Sequence, residues 1–503
     1  MKCHRPVMRR YLPAILLAAG PAGWAAENPG PASEQAFLEE LPVVLSASRL
    51  VQPLADAPGA VTIIDRELIK ASGAREIPDL LRLVPGFQVG MSYGSRPGVA
   101  YHGLADDNSR HMQVLVDGRS AYSPYYLGSI DWNNLRLSLD DIERIEVLRG
   151  SNSAAYGANA FMGVVNIITR HPSQSQGAYL STTLGNQGVS DQVLRYGGSF
   201  GDMHYRVSAG RRSDDGFANF HDSRQTSYVA FRGDMRLSPQ DELQLQLGAN
   251  RSFYGAGFAG SQGDPIRTPH ESGHHLQAVW KRALGPDEEL SLNVYHMRDA
   301  GQEQYTVRGQ IANPFPFPPT QLSSFVDADR WTQRSHIEFQ HIFRLNPAAR
   351  VVWGIEERQE SVNSPLMFAT SKTQTIGLHR LFGNLEWRLA PMWLLNAGAM
   401  LEKHSFTGTD IAPRLMLNFQ PSPEHTLRVG ATSASRTPSL AEERGLVQYN
   451  VRAVPPFPFP PFNTVITSYR AVGGLKPELV KSAEASYLGE FRSIGLTVDA
   501  RAF

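Results

Sequence analysis

Leu243-Gln244-Leu245-Gln246-Leu247 alternates apolar and polar residues without a break. Successive side chains of a strand point to opposite faces, so one face of this stretch is all leucine and the other all glutamine. The rhythm returns along the chain. Leu415, Leu417 and Phe419 alternate with Met416 and Asn418, and Leu427, Val429 and Ala431 with Arg428 and Gly430. Ile494, Leu496, Val498 and Ala500 alternate with Gly495, Thr497 and Asp499. About fifteen such runs lie near residues 178, 189, 203, 225, 242, 272, 288, 331, 350, 374, 392, 411, 425, 483 and 494. They match membrane-spanning strands of about ten residues, apolar toward lipid and polar toward a lumen. Tyr179, Tyr205, Tyr228, Trp280, Trp331, Trp353, Trp387 and Trp393 stand near run ends, as an interfacial girdle requires. Turns are short at Ser238-Pro239-Gln240-Asp241 and Asn346-Pro347-Ala348-Ala349, and long over 253–271, 300–327 and 434–481. Short turns on one side and long loops on the other suit an antiparallel transmembrane β-barrel. A soluble β-sandwich array or propeller is the competing reading, and no blade-length repeat supports it.

Composition agrees. At 503 residues and 42% hydrophobic content, the chain suits a large barrel or two to three compact domains. It holds no run of about 20 apolar residues, the length a helical span needs. Residues 1–25 read as a secretory signal peptide: Lys2, Arg5, Arg9 and Arg10 form a basic start, Tyr11 to Gly20 is a short apolar stretch, and Gly23-Trp24-Ala25 offers a cleavage site. Cleavage takes four of the 48 basic residues and none of the 48 acidic ones, leaving an acidic mature chain. That balance argues against a nucleic-acid partner. The single cysteine, Cys3, leaves with the signal, so disulfides and thiolate metal sites are excluded.

Residues 26–47 form a polar leader, and 48–171 a compact α+β segment. Val61 to Ile64 reads as a strand, and Asp65 can cap a short helix through Lys70. Ile77, Leu80, Leu81 and Val84 share one helical face, which Pro85-Gly86 stops. His111 to Val116 is a strand entering the hairpin-type turn Asp117-Gly118. Gly163 to Thr169 reads as a buried strand. Glu143, Arg144, Glu146 and Arg149 are expected to pair with a polar lumen, and Gly150 permits the turn that ends their strand.

This segment resembles the plug domain of TonB-dependent outer-membrane receptors. The resemblance rests on Leu68 through Val84-Pro85-Gly86-Phe87, on Val114-Leu-Val-Asp-Gly-Arg119, and on Ile142-Glu-Arg-Ile-Glu-Val-Leu-Arg-Gly150. Tyr156-Gly-Ala158 and Gly163-Val-Val-Asn-Ile-Ile-Thr169 extend it. Arg436-Thr-Pro-Ser-Leu440 and Leu475-Lys-Pro-Glu478 look like landmarks of the family's barrel. The resemblance implies a small N-terminal plug inside a barrel spanning 172–503. Such plugged barrels have about 22 strands. With about fifteen runs here, the barrel is expected to be incomplete and the sequence truncated at its C-terminus; a genuinely short closed barrel is the alternative.

The same resemblance implies energy-coupled uptake through the outer membrane of a Gram-negative cell, with no enzyme activity and no resident cofactor. The expected cargo is a scarce, bulky small-molecule ligand: a ferric siderophore first, with cobalamin, haem or another metal chelate, or a non-functional truncated receptor, as alternatives. Expected partners are a periplasmic TonB-type energy-coupling protein, the barrel assembly machinery and outer-membrane lipid. The coupling segment is expected at Glu40, Leu41, Pro42, Val43, Val44 and Leu45, able to add edge-to-edge to the partner as a strand. Pro42 removes one donor from that strand, and the stretch also reads as the first plug strand. Ligand contacts are expected from Tyr93, Arg96, Tyr122, Tyr125 and Tyr126 in plug loops, and from Phe315, Phe317, Phe457 and Phe459 in two Pro-Phe-Pro-Phe-Pro-Pro loops. Pro-stiffened aromatic loops lose less entropy on binding.

Two short motifs point elsewhere. His270-Glu271-Ser272-Gly273-His274 matches the zinc-protease pattern, whose histidines must share a helical face. Pro269 and Gly273 oppose a helix there, so the expectation is no metal site, with capture of metal or haem by His270, His274 and His275 as the weaker reading. Gly90-Met91-Ser92-Tyr93-Gly94 matches a nucleophile elbow but lacks a following helical pattern.

Overall fold

The computed structural model describes residues 43–45, 47–94, 96–103, 110–125, 128–314, 316–454 and 463–503. The signal peptide, the leader through Pro42, and Tyr126, Phe315, Phe457 and Phe459 lie outside the described residues.

Fifteen strands form one antiparallel sheet, taken up in chain order from Gly177–Leu184 to Leu496–Ala502. Each run read from the sequence falls on or beside one of them. Burial along these strands is inverted relative to a soluble sheet. Leu415 is 55% exposed and its neighbour Met416 only 1%, while Leu381 is 48% exposed and Arg380 only 6%. The leucines Leu247, Leu276, Leu401 and Leu427 line the outside, and Gln246, Asn250, Gln277, Asn384, Asn396 and Asn418 are buried inside. Water on the apolar face would cost roughly 25 cal/mol per Å² of it. A sheet with this polarity is stable only with hydrocarbon outside and polar matter within.

The polar matter is the segment that precedes the sheet. Its strands run Ala60–Asp65, Ile142–Arg149, Gly163–Thr169, Met112–Val116 and Arg119–Ser120 in spatial order. All neighbours are antiparallel except Met112–Val116 beside Gly163–Thr169. The helix Arg66–Ala71 starts where Asp65 accepts the Leu68 N–H at 2.8 Å. The helix Ile77–Leu81 buries Ile77, Leu80 and Leu81 against this sheet. It ends before Val84, which the periodicity placed on the same helical face, because Pro85 disfavours helical geometry in the residue before it. Asp117 (φ 47°) and Gly118 (φ 80°) form the expected tight turn, both with positive φ.

Ionic contacts seat the plug. Arg49 meets Glu338 at 2.7 Å, Arg75 meets Asp191 at 2.5 Å and Asp214 at 2.7 Å, and Arg224 pairs with Glu76. Asp117 accepts from Thr169 N–H (2.8 Å), Thr169 Oγ1 (2.7 Å) and the barrel's Gln246 (2.8 Å). Burial works against the Asp117 charge, yet the Arg232 guanidinium and these bonds hold its carboxyl below the usual range. Of the four charges expected to face the lumen, Arg149 reaches the barrel, pairing with Asp499. Glu146 instead takes Arg144 at 2.9 Å and the Leu45 N–H at 3.0 Å, and Glu143 lies 3.7 Å from Arg170.

The long connections are not all irregular. Gln304–Ile311 and Thr320–Asp327 form a hairpin, as do Leu446–Ala453 and Asn463–Arg470. The two hairpins join through Leu322 to Ala453 and Ser323 to Arg452 into a four-stranded sheet beyond the barrel. The helix Leu440–Arg444 begins with a Ser439/Glu442 capping box. It ties the two barrel landmarks together: Arg436 holds Glu442 at 3.0 Å and also pairs with Glu478. The plug's Arg110 reaches Glu442 at 3.1 Å and His111 reaches Glu478 at 3.2 Å.

Candidate functional site

A cavity of about 440 Å³ lies between the plug and the barrel wall at the end carrying the long connections. The plug contributes Arg96, Arg119, Tyr125, Asp131 and Arg136, and the wall and connections contribute Tyr254, Arg267, Glu271, Asp299, Glu303, Tyr305 and Arg330.

Most of these charges are paired. Arg136 bonds Asn250 at 2.7 Å and pairs with Asp299, and Arg330 pairs with Glu271. Arg267 holds Glu303 at 2.6 Å and Asp264 at 2.5 Å, and its guanidinium sits 4.0 Å over the Tyr305 ring. The Arg330 guanidinium sits 5.0 Å from the Tyr125 ring centroid. Asp131 caps the turn Trp132–Asn134 by accepting the Asn133 N–H at 3.1 Å, and Asn134 reaches across to Glu271 at 2.9 Å. Burial, and next the Glu271 charge, push the Asp131 carboxyl up to about 8, so it is largely protonated near neutral pH. The lining therefore brings together five guanidiniums, of which Arg119 and Arg96 pair with no carboxylate among the described residues, and four carboxyl groups, of which Asp131 is held well above the usual range. Aromatic faces and guanidinium donors converge on one space, an arrangement suited to holding a bulky, electron-rich ligand without covalent chemistry.

Among the sequence candidates, Arg96 and Tyr125 line this cavity. Tyr93 is exposed at the tip of the hairpin Phe87–Tyr93/Arg96–Tyr101, outside the lining. Phe317 is exposed between Gln304–Ile311 and Thr320–Asp327, also outside it. Tyr122 is a core residue. It is 7% exposed, packs with Ile130, Trp132 and Leu135, and burial pushes its hydroxyl up to about 12. Its hydroxyl occupies the space a Cβ on Gly128 would need. Of the coupling segment, Val43–Val44 pair with Gln52–Pro53, and Val44 is buried with Ala47, Ala57 and Leu148 in the plug.

The histidine motif lies in the strand His270–Gly285. His270 and His274 then stand four residues, roughly 13 Å, apart along one face. Glu271 and His275 point to the opposite face, so the metal reading loses its geometry. Ser92 sits in a hairpin strand followed by another strand, which lacks the helix an elbow needs. The sequence reading missed Asp131, Arg136, Asp299 and Arg330, and named Glu271 only as part of the histidine motif. Their only local signal is a charge on a lumen-facing strand position or in a plug turn, and such positions are frequent in this chain.

The vitamin B12 transporter BtuB of Vibrio cholerae serotype O1 is 24% identical over 461 residues, covering 90% of this chain and 68% of that protein. The iron-regulated outer membrane virulence protein of the same species is 23% identical over 418 residues, covering 80% of this chain and 60% of that protein. The ferric enterobactin receptor PfeA of Pseudomonas aeruginosa superposes with a TM-score of 0.67 at 17% identity, over 89% of this chain and 71% of its own. The description TonB-dependent Receptor Plug Domain matches residues 53–164, and TonB dependent receptor-like, beta-barrel matches residues 170–503. With a plug domain seated in an inside-out barrel and both family descriptions matched in order, this chain belongs to the TonB-dependent receptors of the outer membrane.

Proposed function

We propose that this receptor captures a ferric siderophore at the outer cavity and imports it with energy from a periplasmic TonB-type protein. The observation that carries the reading is the cavity itself: five guanidiniums and three tyrosine rings against four carboxyl groups, one of them (Asp131) held above the usual range, where plug and long connections meet. A ferric chelate is rigid, aromatic-compatible and commonly anionic, and such a lining complements it. The barrel likeness to a ferric enterobactin receptor agrees with that choice. Cobalamin is the second reading, favoured by the sequence likeness to vitamin B12 transporters.

Coupling is assigned to residues 40–45. Val43 and Val44 already lie in extended backbone paired with Gln52–Pro53. A partner strand would replace that short pairing, and its main-chain bonds would transmit a pull to the plug. Delivery to the membrane falls to the barrel assembly machinery. Purified receptor titrated with ferric catecholate and hydroxamate siderophores and with cyanocobalamin tests the cargo. Saturable binding of an iron chelate, lost in Arg330→Met, is expected; binding of cyanocobalamin alone selects the second reading. Deleting residues 40–46 should abolish uptake and spare binding, and uptake that survives the deletion rejects the coupling assignment.

A further inference from the structure

Beneath the ligand cavity lies a second, far smaller one of about 30 Å³. Arg119, Leu135 and Arg136 line both, so these residues form the floor of the first and the roof of the second. The small cavity is strongly basic. Arg119, Arg136, Arg206, Arg232 and His275 line it, with Asp141 as its one acid.

Three of these cations are compensated. Arg136 has Asp299, Arg206 lies 3.4 Å from Asp141, and Arg232 has Asp234 at 2.9 Å. Arg119 is not. It is 3% exposed, its Nε has no hydrogen-bond partner, and no carboxylate pairs with it among the described residues. The acids nearest it electrostatically are engaged elsewhere: Asp117 with Thr169 and Gln246, Asp299 with Arg136. Burial, and next the Arg136 guanidinium, pull the Arg119 pKa down to about 10, so it remains charged. His275 is 5% exposed, and its Nδ1 likewise lacks a partner.

The surroundings make room for this cluster. A Cβ on Gly248 would collide with the His275 ring, and one on Gly273 with the Arg136 guanidinium. Arg136 itself adopts φ +58°, a strained conformation for arginine. An uncompensated buried guanidinium is among the most costly groups a protein can hold. Here it faces a pocket with room for one small ion.

We propose that the small cavity is a binding site for a monovalent anion the size of a halide ion or one carboxylate group, held by Arg119 with Arg136 and His275. The anion neutralises Arg119 and completes the joint between plug and barrel. The proposal does not depend on which cargo the outer cavity takes.

Thermal unfolding of the purified full chain in detergent tests it, with sodium gluconate replaced at fixed ionic strength by chloride, bromide or formate. Gluconate is too large to enter. The wild-type midpoint should rise and saturate with each small anion. Arg119→Met should be unresponsive and, in gluconate, at least as stable as wild type, because it removes the uncompensated charge. An equal rise in both proteins, or no rise in wild type, overturns the site. Should Arg119→Met not fold, bromide-soaked wild-type crystals decide: an anomalous peak between Arg119 and His275 supports the proposal, and its absence refutes it.

Discussion

Gly157→Ala should unseat the plug. Gly157 adopts φ 78°, ψ −167°, a region almost restricted to glycine. Forcing an L-residue into it costs about 1–3 kcal/mol. The added methyl also lands within contact distance of the Arg380 guanidinium. Arg380 cannot easily retreat: it holds Glu356 at 3.0 Å and Glu402 at 2.7 Å, and Glu402 in turn accepts the Ala158 N–H at 3.3 Å. Pulling one member from a buried ionic cluster costs about 3–5 kcal/mol. The two effects together reach about 4–8 kcal/mol, comparable to the whole stability of an ordinary domain. Gly73→Ala is the control, because Gly73 also has positive φ (+67°) but nothing within 4 Å of a new Cβ. It should cost only the backbone share, about 1–2 kcal/mol. The assays are protease resistance of the plug in detergent and entry of a large antibiotic into cells carrying the receptor. If Gly157→Ala leaves the plug as resistant and the membrane as tight as Gly73→Ala does, the Arg380 cluster is not what seats this face.

Three further outcomes are expected. Arg149→Gln removes the bond to Asp499 and should loosen the plug by about 1.5–3 kcal/mol; an unchanged antibiotic leak rejects that contact as a seat. Asp131 has a folded-state pKa raised from 3.8 to about 8, so its stabilising share is complete below 3.8 and is lost as pH climbs through about 8. Thermal midpoints across that window should fall with rising pH in wild type and fall less in Asp131→Asn; parallel curves count against a protonated Asp131. Leu381→Arg places a charge on the outer face and should cost about 2–4 kcal/mol if that position lies near the bilayer midplane, read by urea refolding into lipid vesicles, whereas an unaffected transition would place Leu381 away from hydrocarbon.

The barrel was legible because its rule is local. Lipid demands an apolar residue at every second position, and Leu243 to Leu247 or Leu415 to Phe419 obey it without reference to the rest of the chain. The plug's turns were legible for the same reason: Asp117-Gly118 and Pro85-Gly86 carry their backbone geometry in their residue types. The two outer hairpins escaped the reading because they lie in stretches read as long loops: Asn463–Arg470 has no strict alternation, and the alternation of Tyr305, Val307 and Ile311 with Gln304, Thr306, Arg308 and Gln310 is confined to one short strand. The binding cavity is harder still. Whether Tyr122 faces a ligand or a core depends on Gly128 leaving room for its hydroxyl, six residues away. Whether Glu271 belongs to a metal motif or to a guanidinium depends on Arg330, two strands distant in the sheet. A buried charge is defined by its partner, and in a plugged barrel the partner sits on another strand or in another domain. That is why the resemblance to a receptor could be read from the motifs, while its binding residues emerged only once plug and wall were brought face to face.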